Sequence, residues 1–135
     1  MQQTLILIKP DAFSRGLTGD ILARFERKGL TIVALKLVHA SREIAETHYA
    51  EHTEQPFFPA LVDFIVSGPL VAAVLEGKDA IGAVRRLIGA TDPLDAAPGT
   101  IRADLATQLS RNLVHGADKP ESALREIGVW FPELQ

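Results

Sequence analysis

The stretch "TLILIKPDAFSRGLTGDILARFERKGLTIVALKLVHA", Thr4 to Ala40, decides the fold. It opens on an apolar run halted by Pro10, the pattern of a short buried strand. The period then changes in "LTGDILARFERKGL". Ile21, Leu22 and Phe25 share one helical face, Thr18 or Asp20 can cap the start, and Gly29 ends the helix. "LTIVALKLVHA", Leu30 to Ala40, is rich in apolar and β-branched residues and predicts a second strand. A β-α-β pass is therefore in place by Ala40.

Outward from that unit the alternation continues. Ser41 caps "REIAETHYAEH", prolines at 56 and 59 punctuate "QPFFP", and "ALVDFIV" predicts a short helix. After the turn "SGP", "LVAAVLEG" predicts a third strand. Asp79 can cap "AIGAVRRLIGA", whose stripe of Ile81, Val84, Leu87 and Ile88 fits one helical face. "TDPLDAAPGT" is a Pro- and Gly-bearing loop long enough to suspect a function or an interface. "IRADLATQLS" is weakly helical, and "NLVHG" predicts a fourth strand. "PESALREIGVWF" predicts a last helix with Pro120 near its first position and Glu121 in its first turn. No internal repeat or low-complexity tract is visible. The order β-α-β-α-α-β-α-α-β-α predicts an α+β fold. Its expected form is a ferredoxin-like antiparallel sheet, a βαββαβ core with additional helices, over one domain spanning residues 1–135.

The 135 residues are 47% hydrophobic and 23% charged, enough for a continuous core under a soluble surface. A net charge of -3 argues against sequence-independent nucleic-acid binding, which needs a basic face. With no cysteine, disulfides, thiolate catalysis and cysteine metal sites are excluded. No apolar run approaches membrane-spanning length and no charged leader precedes one, so a cytoplasmic protein is expected.

Neither G-x-x-x-x-G-K-[ST] nor G-x-G-x-x-G is present, so any phosphate binding must come from side chains. Lys9 ends a strand, Arg85 lies in a largely apolar helix and Arg102 stands between Ile101 and Ala103. Singly these are surface cations; together, beside loops, they could line an anion pocket. His48 and His52, four apart, could form a metal pair, but "YAE" between them does not make H-E-x-x-H, and a solvated helix face is the expectation. Of Phe57 and Phe58, one is expected in the core and the other as a stacking platform. The sharpest residue is His115, placed where an element stops, directly before Gly116. Strand alternation puts Asn112 on the opposite side from His115, so a shared role requires a bend. If the last helix packs back over the fourth strand, Glu126 could reach one imidazole nitrogen, fix the tautomer and leave the other nitrogen free to attack.

With these residues assembled, the sequence resembles the nucleoside diphosphate kinases over nearly its whole length. The family signature N-x-x-H-G-[SA]-D stands here as "NLVHGAD". "LIKPDA", "RGLTGDILARFERKGL", "HYAEH", "PFFPALVDFIVSGPLVAAV", "GATDP" and "PGTIRAD" recur in the family's order. The resemblance implies transfer of the γ-phosphoryl group from a nucleoside triphosphate to a nucleoside diphosphate, by a ping-pong route through phosphohistidine, which maintains nucleotide pools. It implies that His115 is the nucleophile and Glu126 the carboxylate that orients it. Lys9 and Tyr49 match residues close to the γ-phosphate and the histidine. Arg85, Thr91 and Arg102 match the phosphate clamp, Phe57 the aromatic that stacks on the base, and Asn112, with Lys9, a contact to the sugar. Mg²⁺ is implied to arrive with the nucleotide, held chiefly by phosphates, with no direct protein ligand assigned. A homo-oligomer is implied, a hexamer favoured over the tetramer of some bacterial members. Ala117 stands where most members have a serine that can bond the orienting carboxylate, and Lys119 where a small residue is common. Neither is the nucleophile, so activity is expected. The sequence closes at "WFPELQ", short of the tail that gives many members subunit contacts.

Overall fold

The structure is a computed structural model and describes residues 1–134. Four strands, β1 (Gln2–Ile8), β2 (Thr31–Val38), β3 (Leu70–Gly77) and β4 (Val114–Gly116), form one sheet in the order β2-β3-β1-β4. Every neighbouring pair is antiparallel, as the ferredoxin-like expectation requires. The helices are α1 (Pro10–Ser14), α2 (Thr18–Arg27), α3 (Arg42–His48), α4 (Phe58–Ile65), α5 (Ala80–Ile88), α6 (Ile101–Leu105) and α7 (Pro120–Trp130).

The sheet is covered on both faces. Ile6 and Ile8 of β1 pack with Phe25 of α2 and Val84 and Ile88 of α5. Leu5 and Leu7 point the other way, into Val62 and Ile65 of α4 and Ile127 and Trp130 of α7. That double burial is why β1 and β3 are continuous apolar runs although their pairing is antiparallel, which more often leaves one face wet. The edge strand β2 alternates between exposed and half-buried residues. A bulge between Ile32 and Ala34 shifts its register against β3. Val33, Leu35 and Leu37 emerge exposed along this edge.

Local details depart from the expectations. Pro10 does not merely stop β1: it takes the first position of α1, where its missing N–H costs no hydrogen bond. Neither Thr18 nor Asp20 caps α2, whose N-cap position is Leu17 in helical geometry. The chain enters from a preceding turn in which the Leu17 N–H donates to the Ala12 carbonyl, and Asp20 accepts from Arg24 at 2.9 Å instead. Asp79 does precede α5, but with φ of 50° its carboxylate makes no capping bond. Ser41 caps α3 as expected, its hydroxyl accepting from the Ile44 N–H at 3.1 Å. After α3 the chain tightens into a 3-10 turn, Ala50–His52, so His48 and His52 do not ride one continuous helix. The expected solvated face is therefore wrong for His48, which is 3% exposed and packed inside.

Candidate active site

The fourth strand is only three residues long because the chain bends just before it. Leu113 adopts φ of 77°, a left-handed conformation that costs a non-glycine residue about 1–3 kcal/mol. Three contacts hold it there. Its N–H donates to Asp11 Oδ2 (3.1 Å), its carbonyl accepts from the Lys9 N–H (2.8 Å), and its side chain is fully buried. This is the bend that lets Asn112 and His115 share one site.

His115 sits opposite Leu7 of β1, with its Nε2 at 2.6 Å from Glu126 Oε1 of α7. Burial, followed by the charges of Lys9, Arg102 and Arg85, pushes its pKa down to about 3, so the ring is neutral. Nε2–H donates to the carboxylate and Nδ1 keeps its lone pair. Burial raises the Glu126 carboxyl above its ordinary value. His48, His115 and Glu126 bring potential ligand atoms within 4.8 Å of one another. A proton rather than a metal ion fits the 2.6 Å gap, because two ligands each about 2.0–2.2 Å from one ion stand roughly 3 Å or more apart.

Around this pair the cations are anchored by buried partners. Lys9 Nζ donates to Asn112 Oδ1 at 2.8 Å, and Asn112 Nδ2 donates to the Thr91 carbonyl at 3.1 Å. Arg102, 7% exposed, donates to the carbonyls of Asn112 (3.2 Å), Gly89 (3.3 Å) and Val114 (2.6 Å). Arg85 donates to the Gly116 carbonyl at 3.3 Å. Burial and then Arg102 lower Lys9 to about 8; burial and then Arg85 lower Arg102 to about 10. Both remain largely cationic at neutral pH. They repel one another, and among the described residues no Asp or Glu lines the cleft they share.

That cleft, about 730 Å³, has a second kind of lining. Phe57, Leu61 and Phe64 fall on one helical stripe at the start of and along α4, and all face it. Phe57 is 48% exposed and faces the cleft, whereas Phe58 packs against the core. Leu109, 58% exposed, lines the cleft too, and the Arg111 guanidinium lies 5.3 Å from the Phe64 ring. Tyr49 closes α3 beside His48, ring centroids 4.7 Å apart; burial, then Glu126, raises its hydroxyl pKa, so it stays protonated.

The structure thus brings Lys9, Tyr49, Phe57, Arg85, Thr91, Arg102, Asn112 and His115 to one cleft, with Glu126 behind the histidine. Leu61 and Phe64 escaped the sequence reasoning although their spacing from Phe57 signalled a shared face. Leu109, Arg111 and Asp11 gave no signal of their own, and His48 was read as half of a solvated pair with His52. Ala117 is fully buried against Ile81 and Ala123.

A histidine with a free ring nitrogen, fixed cations and an aromatic wall around one cleft define a phosphotransferase that handles nucleotides. A family model described as nucleoside diphosphate kinase matches residues 2–135. The chain is 62% identical over 134 residues to a nucleoside diphosphate kinase of Nocardia farcinica, covering 98% of this chain and 96% of that protein. It superimposes with a TM-score of 0.96 on a nucleoside diphosphate kinase family protein from Babesia bovis, at 44% identity, covering 100% of this chain and 91% of the other. A halophilic nucleoside diphosphate kinase from Halobacterium salinarum, solved in complex with CDP, matches at a TM-score of 0.94 and 50% identity, covering 96% and 87%. The chain belongs to the nucleoside diphosphate kinase family. Its reaction is phosphoryl transfer between a nucleoside triphosphate and a nucleoside diphosphate.

Proposed function

We propose that the γ-phosphoryl group travels by way of Nδ1 of His115. The observation that carries this is the 2.6 Å contact of Nε2 with Glu126, which commits one ring nitrogen and frees the other on the cleft side. The Nδ1 lone pair forms a bond to the γ-phosphorus as the bond from that phosphorus to the β–γ bridging oxygen breaks. The diphosphate leaves with the electron pair, and the Nε2 proton stays on its bond to Glu126. A terminal β-phosphate oxygen of the acceptor diphosphate then displaces His115 in the reverse sense. Donor and acceptor are both nucleotides, so one cleft serves both half-reactions.

Phosphoryl transfer asks for positioning and charge neutralisation more than for proton transfer. Lys9, Arg85 and Arg102 supply the fixed charge, Thr91 completes the clamp, and Tyr49 stands beside the histidine. Asn112, with Lys9, contacts the sugar, Phe57 stacks on the base, and since every base has a π-face the site is tolerant of base identity. Mg²⁺ prefers oxygen ligands and is commonly held through substrate phosphates. A cleft lined by cations and by no carboxylate offers it little, so the ion enters on the nucleotide, where it neutralises phosphate charge.

The proposal takes residues 1–135 as one catalytic domain working in the cytoplasm; among the described residues no helix is long and apolar enough to cross a membrane. It includes a homo-oligomer, with a hexamer favoured over a tetramer. The exposed Val33, Leu35 and Leu37 on the open edge of β2 support association, since such edges are commonly covered.

Incubation with γ-labelled ATP and Mg²⁺ tests the route. The parent should carry an acid-labile, base-stable phosphoryl group, and His115→Asn should carry none. Label persisting in that variant would place the nucleophile elsewhere.

A further inference from the structure

His48 is a buried titratable group beside the nucleophile, and the transfer gives it no role. It ends α3, and its ring is held from two sides. The Trp130 indole Nε1–H donates to His48 Nδ1 at 3.0 Å. Arg125 donates to the carbonyls of Thr47 (3.1 Å) and His48 (3.2 Å), fixing the backbone that carries the ring. An indole N–H can only donate, so Nδ1 must be the accepting nitrogen. Burial, and then His115, hold the His48 pKa well below the usual histidine range. The ring is therefore neutral, with its proton on Nε2.

That ring stands edge-on to His115, centroids 4.6 Å apart and planes at 82°. The charged and titratable groups around it are His115, Glu126, Arg125, Lys9 and the protonated Tyr49, whose ring centroid is 4.7 Å away. We propose that His48, locked by Trp130 in its Nε2–H tautomer, is a positioning residue that walls the His115 imidazole into the orientation presenting Nδ1 to the phosphorus. The lock matters because only a neutral His48 can do this without adding a further cation beside the nucleophile. The hydrogen bond to Glu126 fixes one edge of the His115 ring; the His48 edge blocks rotation about the remaining freedom. This rests on the reading of His115 as the phosphoryl acceptor.

Trp130→Phe keeps an aromatic ring and removes the N–H that sets the tautomer, together with part of a bicycle that is 2% exposed, so some stability is lost with it. Imidazole ¹⁵N spectra of the full-length parent should show His48 neutral, with Nδ1 unprotonated, around neutral pH. In Trp130→Phe the two tautomers should mix. Single-turnover phosphorylation by ATP should slow by about tenfold, against the hundredfold scale for misplacing a reacting group by about 1 Å. The nucleotide KM should not move, and the acid limb of the rate profile should shift to higher pH as His48 becomes protonatable. A residue that merely fills space would lower stability and leave tautomer and acid limb alone. Parent spectra with the proton on Nδ1, or with a charged ring, overturn the proposal whether or not the variant folds. So does a variant that phosphorylates at the parent's rate with the same acid limb. Absence of label on His115 in the parent would instead overturn the reading beneath it.

Discussion

The two linings of the cleft are built on opposite principles. On the phosphate side each charged group is tied to a buried partner: Lys9 to Asn112, Arg102 to three backbone carbonyls, Asp11 to the strained Leu113, Glu126 to His115. On the ring side Phe57 and Leu109 lie about half exposed and contribute surface rather than bonds. The difference follows from what each is proposed to hold. A transferring phosphoryl group needs charge placed before it arrives, and in a low-dielectric setting that placement has to be supported by other buried groups. A base needs only a flat apolar face. Fold stability and catalysis are therefore fused on one side of the cleft and separable on the other.

Arg102→Met is the strongest way to break that contrast. It strands the carbonyls of Asn112, Gly89 and Val114, and losing hydrogen bonds to a charged donor costs about 1.5–3 kcal/mol each, not fully additively. Stability should fall by about 3 kcal/mol or more in urea unfolding, and phosphorylation should be crippled in whatever remains folded. A stable but inactive variant would mean the guanidinium serves the nucleotide alone.

Phe57→Ala probes the other lining. Nucleotide affinity should weaken by about 1–3 kcal/mol, similarly for purine and pyrimidine diphosphates. The melting temperature should stay within a degree or two of the parent's, because the ring is 48% exposed. A large fall in melting temperature would join the two linings into one.

The smallest expected effect is in acid. The folded His115 refuses the proton that the unfolded chain accepts near pH ~6.5, since burial and the neighbouring cations push it to about 3. The unfolded state then binds more protons, so stability rises with pH in this window: the contribution is flat above about pH 7 and falls as the pH drops from about 6.5 toward 3. His48, lowered by burial, acts in the same sense. Between about pH 7.5 and 5.5 one such histidine should account for about 1.4 kcal/mol. Urea unfolding of the parent and of His115→Asn at both pH values checks it: the parent should lose more stability by about that amount.

Much of this could be read from the residues. The runs "TLILIKP" and "LVAAVLEG" marked β1 and β3 closely, because double burial leaves an unbroken apolar signal. Ser41 was legible as a cap because a hydroxyl before a helical stripe has a local partner. Thr18, Asp20 and Asp79 misled on the same rule, since the entering chain and not the side-chain type set the geometry there. In the site, the motif around His115 and the scattered cations were visible. His48 was not, because its burial comes from Trp130 and His115, far along the chain, and the local pattern pointed to solvent. Asp11 was invisible for the same reason: its role exists only once Leu113 arrives.

The pairing of β4 with β1 also sets a timetable. Lys9 meets Asn112 across 103 positions of chain, and the strand that carries the histidine is the last to be synthesised while its partner is the first. Contacts so distant in sequence form late, after the intervening loop has closed. During synthesis the first strand waits, with its edge unpaired, for nearly the entire polypeptide. Until then the cleft is not assembled, and the proposed acceptor nitrogen is set in place by the same event that shuts the sheet.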